Sequence, residues 1–420
     1  MRQVKNILSN KFFKNSILYT VGAMLTPLVG LIMLPIYTNY LSPSEYGVMT
    51  TVQTLVGMLQ LFLLLSLHGA VTRFYYDFLD NPQKQKEYLG SIYIFTLIFS
   101  LVLSVILILF KESIGSLLFQ NIPVDPYYYY LIGIAWVSAL STLPMALFRA
   151  QEKAGLFVII NLIKAVSIMS LSAYLIIVKG LGAESALIAH LIVTFVIVII
   201  TFLMQRKSLT WSLNISFVKQ SLIFSIPLLP HVASGWIISS SDRVILEKFV
   251  SLDEIGLYAL AVQVSLVLSL FYTSVNNALV PRYTRLRKEN KDIEGDKLLK
   301  IFSRIIIIFG SISIPVAMIA IYLFTSNEFQ GALIFIPFLL IGQIIRGFYF
   351  IPVAKLFYVK KTKSIATSST IAAIVSILIN ITLIPFIGIY GAVITAILTE
   401  IIRYVLIRKA SLSVNKPSLS

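Results

Sequence analysis

The chain has no cysteine. That excludes disulfides, thiolate nucleophiles and cysteine-held metals. It has three histidines, His68, His190 and His231, far apart in sequence. A histidine metal site has little to work with, and no metal or cofactor is expected. Charge is scarce as well: 12% of the 420 residues are Asp, Glu, Lys or Arg, against about 25% in an ordinary soluble domain. Neither a glycine-rich phosphate loop nor a zinc motif is present, and no catalytic constellation stands out. No interval between apolar runs exceeds about 25 residues.

What is there is apolar. Hydrophobic residues make up 58% of the chain, and the mean hydropathy is +0.89. A water-soluble fold could not hide so much apolar surface, so the solvent is lipid. A spanning helix needs about 20 apolar residues. Twelve runs meet this: 15–40, 47–70, 88–110, 127–148, 155–178, 182–204, 221–247, 255–280, 303–325, 331–354, 364–386 and 388–408. The first follows Arg2, Lys5, Lys11 and Lys14. It outruns the roughly 7–15 residues of a signal-peptide core, so it is read as a retained span.

The net charge of +16 does not point to nucleic acid, because the cations fall between apolar runs rather than on one face. They report topology instead. With the N-terminus in the cytoplasm, 28 of the 34 Lys and Arg fall on the cytoplasmic side and three (Lys111, Lys179, Lys248) on the other. The densest group lies in the charged loop read from Arg282 to Phe302. One span missed or invented in mid-chain would collapse that asymmetry. Both termini are therefore expected in the cytoplasm.

The halves repeat. Leu41-Ser42-Pro43-Ser44-Glu45-Tyr46-Gly47 after span 1 lines up with Val250-Ser251-Leu252-Asp253-Glu254-Ile255-Gly256 after span 7 at matching Ser, Glu and Gly, and Leu147-Phe148 with Leu356-Phe357. Gly182-Ala183-Glu184-Ser185-Ala186 resembles Gly388-Ile389-Tyr390-Gly391-Ala392. The order and near-constant offset argue for a duplicated six-helix unit, with residues 1–210 and 211–420 as the two lobes. Repeats of this kind are common in secondary transporters, which bind substrate between the halves near the bilayer midplane.

Charged groups inside a bilayer are costly and usually face a cavity or a partner. Lys164 lies in span 5, roughly 16 Å beyond the cytoplasmic Lys153 at the helical rise, with Asn161 and Ser167 near its face. It is read as cavity lining, against a snorkelling lysine or a polar helix contact. Arg346 in span 10 is read as cavity lining, as a buried pair with Glu400 or Asp242, or both. Asp242 and Arg243 lie towards the outer end of span 7. His231, Ser234, Gly235, Ser241 and Asp242 share one stripe of that span. His231 either titrates near neutral pH or makes a satisfied interhelical bond. Glu400 in span 12 binds Arg403, Arg346 or a coupling cation. Three bases against two acids favour an anion such as phosphate or pyrophosphate over a cationic drug. Spans 1 and 7 each carry two prolines (Pro27, Pro35; Pro227, Pro230) at equivalent places, so both are expected to bend during alternating access, against static kinks that fit packing.

Several of these segments resemble one family. They are Leu41-Ser42-Pro43-Ser44-Glu45-Tyr46-Gly47, Arg73-Phe74-Tyr75-Tyr76, Phe148-Arg149-Ala150-Gln151-Glu152-Lys153, Ser225-Ile226-Pro227-Leu228-Leu229-Pro230 with Asp242-Arg243, Gly256-Leu257-Tyr258, and Asn380 with Leu383-Ile384-Pro385. In this order they are similar to polysaccharide transporters, the O-antigen-type oligosaccharide flippases of the multidrug/oligosaccharidyl-lipid/polysaccharide superfamily.

The resemblance implies an all-α polytopic membrane protein with twelve transmembrane helices, in two pseudo-symmetric six-helix lobes around a central cavity (MATE-like). It implies flipping of undecaprenyl-pyrophosphate-linked oligosaccharide across the bacterial cytoplasmic membrane for O-antigen, capsule or exopolysaccharide assembly, driven by H+ or Na+. Membrane lipids and a polysaccharide polymerase with other assembly proteins are the implied partners. Lys164, Arg243 and Arg346 would hold the anion, and Asp242, His231 or Glu400 would couple the ion. Two rivals remain. A multidrug or cation antiporter of the same superfamily would need acids in its cavity. A membrane polysaccharide polymerase or ligase would need a large outer loop, and the outer loops here are short.

Overall fold

The computed structural model describes residues 29–413 together with Leu18 and Gly22. All described regular structure is helical. Span 1, expected over 15–40, lies for the most part outside the described residues; its end is helix α1, Leu34–Tyr40. The helices after it are α2 (Pro43–Leu64), α3 (Leu67–Phe74), α4 (Pro82–Leu109), α5 (Lys111–Leu118), α6 (Val124–Ala150), α7 (Ala154–Ile177) and α8 (Glu184–Gln205). Then come α9 (Ile215–Ser225), α10 (Leu229–Leu246), α11 (Leu252–Lys288), α12 (Asp292–Phe324), α13 (Ile336–Tyr358), α14 (Thr362–Ile387) and α15 (Ile389–Leu412). Among the described residues eleven helical stretches are long and apolar enough to cross a membrane.

Two spans are broken. Span 2 divides into α2 and α3 at Leu65 and Ser66, both in the left-handed region (φ 49° and 56°). Span 7 divides into α9 and α10 through a 3-10 turn at Ile226–Leu228. Pro227 lacks the N–H that would continue the helix, and the α-helical bonding is interrupted there; Pro27 lies outside the described residues. Pro35 sits in the first turn of α1, where a missing N–H costs nothing.

The charged loop expected from Arg282 to Phe302 is instead a helical hairpin. Helices α11 and α12 run through it and leave only Glu289, Asn290 and Lys291 between them. Its Lys, Arg and Glu residues are good helix formers. Arg285 holds Glu289 at 2.8 Å, and Arg287 holds Asp292 at 2.7 Å and Asp296 at 2.5 Å. The spaced carboxylates there thus bind one arginine.

The described chain separates into two compact units. One comprises Val48–Ala233 and the described residues before Tyr37; the other comprises Tyr37–Gly47 and everything from Ser234 onward. In the first, α6 packs on α3, α4 and α8, and α7 packs on α8. In the second, α15 packs on α13 and α14, and α11 packs on α13. Burial repeats from one unit to the other: the apolar stretches of α2 and its counterpart α11 are mostly buried, while those of α4 and α12 are mostly not. The remaining apolar surface, such as Val102, Leu109, Ile308 and Leu323, is exposed, as lipid contact requires.

The repeated segment takes the same form in both copies. Ser42 N–H donates to Glu45 Oε2 (2.9 Å), and Glu45 N–H donates to Ser42 Oγ (3.2 Å). Ser251 and Glu254 exchange the same bonds at 3.0 and 3.3 Å. These are capping boxes, each meeting two unpaired donors at a helix start. Within the second unit they dock reciprocally. A Cβ on Gly47 would lie 2.3 Å from the Leu252 carbonyl oxygen, and one on Gly256 1.9 Å from that of Pro43. Only glycine permits so close an approach.

Candidate functional site

The first unit holds a cavity of about 400 Å³, within the usual range for a small-molecule site. Four helices line it with residues at helical spacing. Gln53, Val56, Gly57 and Gln60 come from α2; Ser138, Ser141, Thr142 and Met145 from α6; Phe157, Ile160, Asn161 and Lys164 from α7; His190 and Ile197 from α8. The members fall at offsets of 0, 3, 4 and 7 along α2, α6 and α7, and seven apart on α8, so each set forms one face. Phe148, Phe157, Ile160, Val193 and Ile197 pack as an apolar cluster beside it. Gly22, from span 1, packs against Phe157, with room for a Cβ only 3.0 Å from the ring.

Lys164 therefore faces a cavity. Among the described residues nothing forms an ion pair or hydrogen bond with it, and no carboxylate lines the cavity. Asn161 shares the cavity with Lys164, as its spacing predicts, whereas Ser167 does not line it. Arg149 lies at one edge, over the Phe157 ring at 5.7 Å. It also lines a second, more open hollow of about 650 Å³ with Gly69, Thr72, Arg73 and Tyr76. The two hollows thus share a guanidinium.

The second unit holds a smaller cavity of about 50 Å³, room for a few waters at most. Asp242 and Ser239 of α10, Tyr258 and Ser265 of α11, Gln343 and Arg346 of α13 and Glu400 of α15 face it. Three sequence-predicted residues, Asp242, Arg346 and Glu400, thus meet in one place. Tyr258 donates a short hydrogen bond to Asp242 Oδ2. Arg346 forms no ion pair closer than 4.0 Å with a described acid, and its Nε, Gln343 Oε1 and Glu400 Oε2 are buried without a hydrogen-bond partner. Glu400 instead lies 3.6 Å from Arg403, whose guanidinium sits 4.0 Å over Tyr349.

Arg243 does not line either cavity. Its Nη2 donates to Ser239 O (3.1 Å) and Ser240 Oγ (3.3 Å) on its own helix, and its Nε lies 3.9 Å from Asp242. His231 is exposed within the first unit and shares neither cavity. Ser234 of the same stripe meets Thr370 at 3.3 Å. Lys164 and Arg346 thus line different cavities in different units. Gln53, Gln60, Thr142 and Tyr258 are site residues that a search for charge passes over. Gln53 and Gln60, seven apart on an apolar helix, were the available signal.

Helices long and apolar enough to span a membrane, with a polar cavity that holds a lysine unpaired among the described residues, define the class: a multi-pass transporter. Among solved structures the fold is similar to an inward-facing multidrug-resistance MATE transporter of the MOP superfamily, with TM-score 0.72 and 16% identity over 96% of this chain and 99% of that one. The chain belongs to the polysaccharide biosynthesis protein family, whose pattern matches residues 12–287. It is 25% identical over 407 residues to an Lsg-locus protein of Haemophilus influenzae, covering 91% of this chain and 95% of that one. It is 23% identical over 382 residues to a Haloferax volcanii protein named as a probable low-salt glycan biosynthesis flippase, covering 88% and 77%. It is a membrane transporter of the flippase type.

Proposed function

We propose that the protein carries undecaprenyl-pyrophosphate-linked oligosaccharide from the cytoplasmic to the outer leaflet of a bacterial cytoplasmic membrane, for surface polysaccharide assembly. The observation that carries this reading is Lys164, an unpaired cation inside a cavity that no carboxylate lines and whose other charged group is Arg149 at its edge. A buried cation is costly without a partner, and a pyrophosphate supplies one by charge-assisted hydrogen bonds. Membership in the polysaccharide family supports the substrate class. The two units act as repeat-related lobes in alternating access, with the lipid tail left in the bilayer. N- and C-termini lie in the cytoplasm, as the cation asymmetry supports. A polysaccharide polymerase then consumes the product.

The cavity of the second unit couples the ion. Asp242 and Glu400 supply carboxylates, and Arg346 in the same cavity disfavours a bare Na+, so a proton fits this cavity better. Arg243 orients Asp242 from the adjacent position. The antiporter alternative lacks acids around Lys164 to hold a cationic drug. The test is complementation of a strain lacking its own flippase. Lys164→Ala or Arg346→Ala should abolish surface glycan while the protein still inserts in the membrane. Normal glycan with both variants removes these residues from the mechanism.

A further inference from the structure

The uncharged wall of the Lys164 cavity has fixed polarity. Gln60 Nε2 donates to the Ser138 carbonyl at 3.3 Å and to Thr142 Oγ1 at 3.0 Å. Thr142 spends its own hydroxyl proton on Ser138 O at 2.9 Å, so towards Gln60 it can only accept. Asn161 Nδ2 donates to the Phe157 carbonyl at 2.8 Å and rests on Met145 Sδ at 3.8 Å. A backbone carbonyl has no proton to give, so neither amide can be turned over without setting oxygen against oxygen. Both amide oxygens, Gln60 Oε1 and Asn161 Oδ1, are therefore left for a ligand. Neither accepts a hydrogen bond from a described residue.

The cavity thus offers a cation at Lys164 and two carbonyl acceptors on the wall. A ligand that satisfies all three carries an anion and several O–H or N–H donors. Phosphate oxygens alone would be repelled by the amide oxygens, which confines the anion to the cations, Lys164 and the edge residue Arg149. Resting on the flippase reading above, we propose that Gln60 and Asn161 recognise the sugar ring joined to the pyrophosphate, accepting hydrogen bonds from its hydroxyl or acetamido N–H groups. The wall then selects glycosylated carrier over bare polyprenyl pyrophosphate before transport begins. A site built to accept such bonds rejects a ligand that lacks the donors, because its own polar groups are left unpaired.

The test measures binding to the purified protein in lipid nanodiscs with three ligands. These are geranyl pyrophosphate, geranyl-pyrophosphoryl-N-acetylglucosamine, and the latter with its hydroxyl and amide N–H groups methylated. The wild-type protein should bind the free sugar compound about tenfold more tightly than either other ligand. Gln60→Leu and Asn161→Leu should each bring that preference to within about threefold, by weakening the sugar compound rather than geranyl pyrophosphate. Equal binding of the free and methylated sugars by the wild-type protein would overturn the proposal, whether or not the variants fold. So would an unchanged preference in both variants. If geranyl pyrophosphate binds and Lys164→Ala weakens it, but all three ligands bind alike, the sugar wall falls and the anion site stands. If no ligand binds, the anion reading fails and the sugar wall with it.

Discussion

At the scale of single residues, buried charge is held in two ways. Lys164 sits unpaired beside open cavity, and its stability depends on water or ligand reaching it. Glu400 sits in a network with Arg403 at 3.6 Å and shares its cavity with Arg346. Removing one member of a buried charged group strands the others, at a cost of about 3–5 kcal/mol, whereas replacing a pair with apolar groups of similar size often costs little. Glu400→Gln should therefore lower the melting temperature of the detergent-solubilised protein. The double change Glu400→Leu with Arg403→Met should lower it less. A double variant that melts well below the single one would show that the pair itself stabilises the fold.

At the scale of elements, the reciprocal seats of Gly47 and Gly256 are the tightest repeated contacts. Alanine at either position places a methyl carbon 2.3 or 1.9 Å from a backbone oxygen, and backbone cannot move aside as a flexible side chain can. Gly47→Ala and Gly256→Ala should each destabilise by several kcal/mol, in the manner of overpacked interiors. Gly155→Ala, with nothing within 4 Å, should be neutral or slightly stabilising, since alanine suits a helix better than glycine. Thermal melts of the three variants decide it, and equal melts would refute the steric account. The turns after α6 and α13 repeat a second device. Glu152 (φ 55°) and Lys360 (φ 60°) end their helices in the left-handed region. Lys153 N–H then donates to Phe148 O, and Lys361 N–H to Leu356 O, at 2.9 and 3.0 Å. Each closes the last turn and leaves a lysine beyond the helix end.

At the scale of the whole molecule, the absence of cysteine gives a clean background for mapping sidedness. Lys291→Cys should react with an impermeant thiol reagent only from the cytoplasmic face, and Lys179→Cys only from the outer face. Labelling of both from one side would contradict the charge-derived topology. The number of spans from α2 onward was legible in the sequence, because only lipid tolerates such apolar runs and cations rarely cross it. The family was legible as well, since its marks are local segments. Lys164 was legible because a charge in an apolar run has few ordinary uses. What lay beyond reach were features made by residues far apart in sequence. The break at Leu65–Ser66 carries no proline, and the helical hairpin at Glu289 looked like loop because charged helices lack an apolar stripe. Gln60 and Asn161 are ordinary amides until α6 meets α2 and α7. Hydropathy and charge act on each segment separately, so the chain alone determined its environment, its number of spans and which charges, Lys164 among them, fall inside them. Which groups face that cation, and with which atoms, depends on helix rotation and packing, and only the tertiary structure decided it.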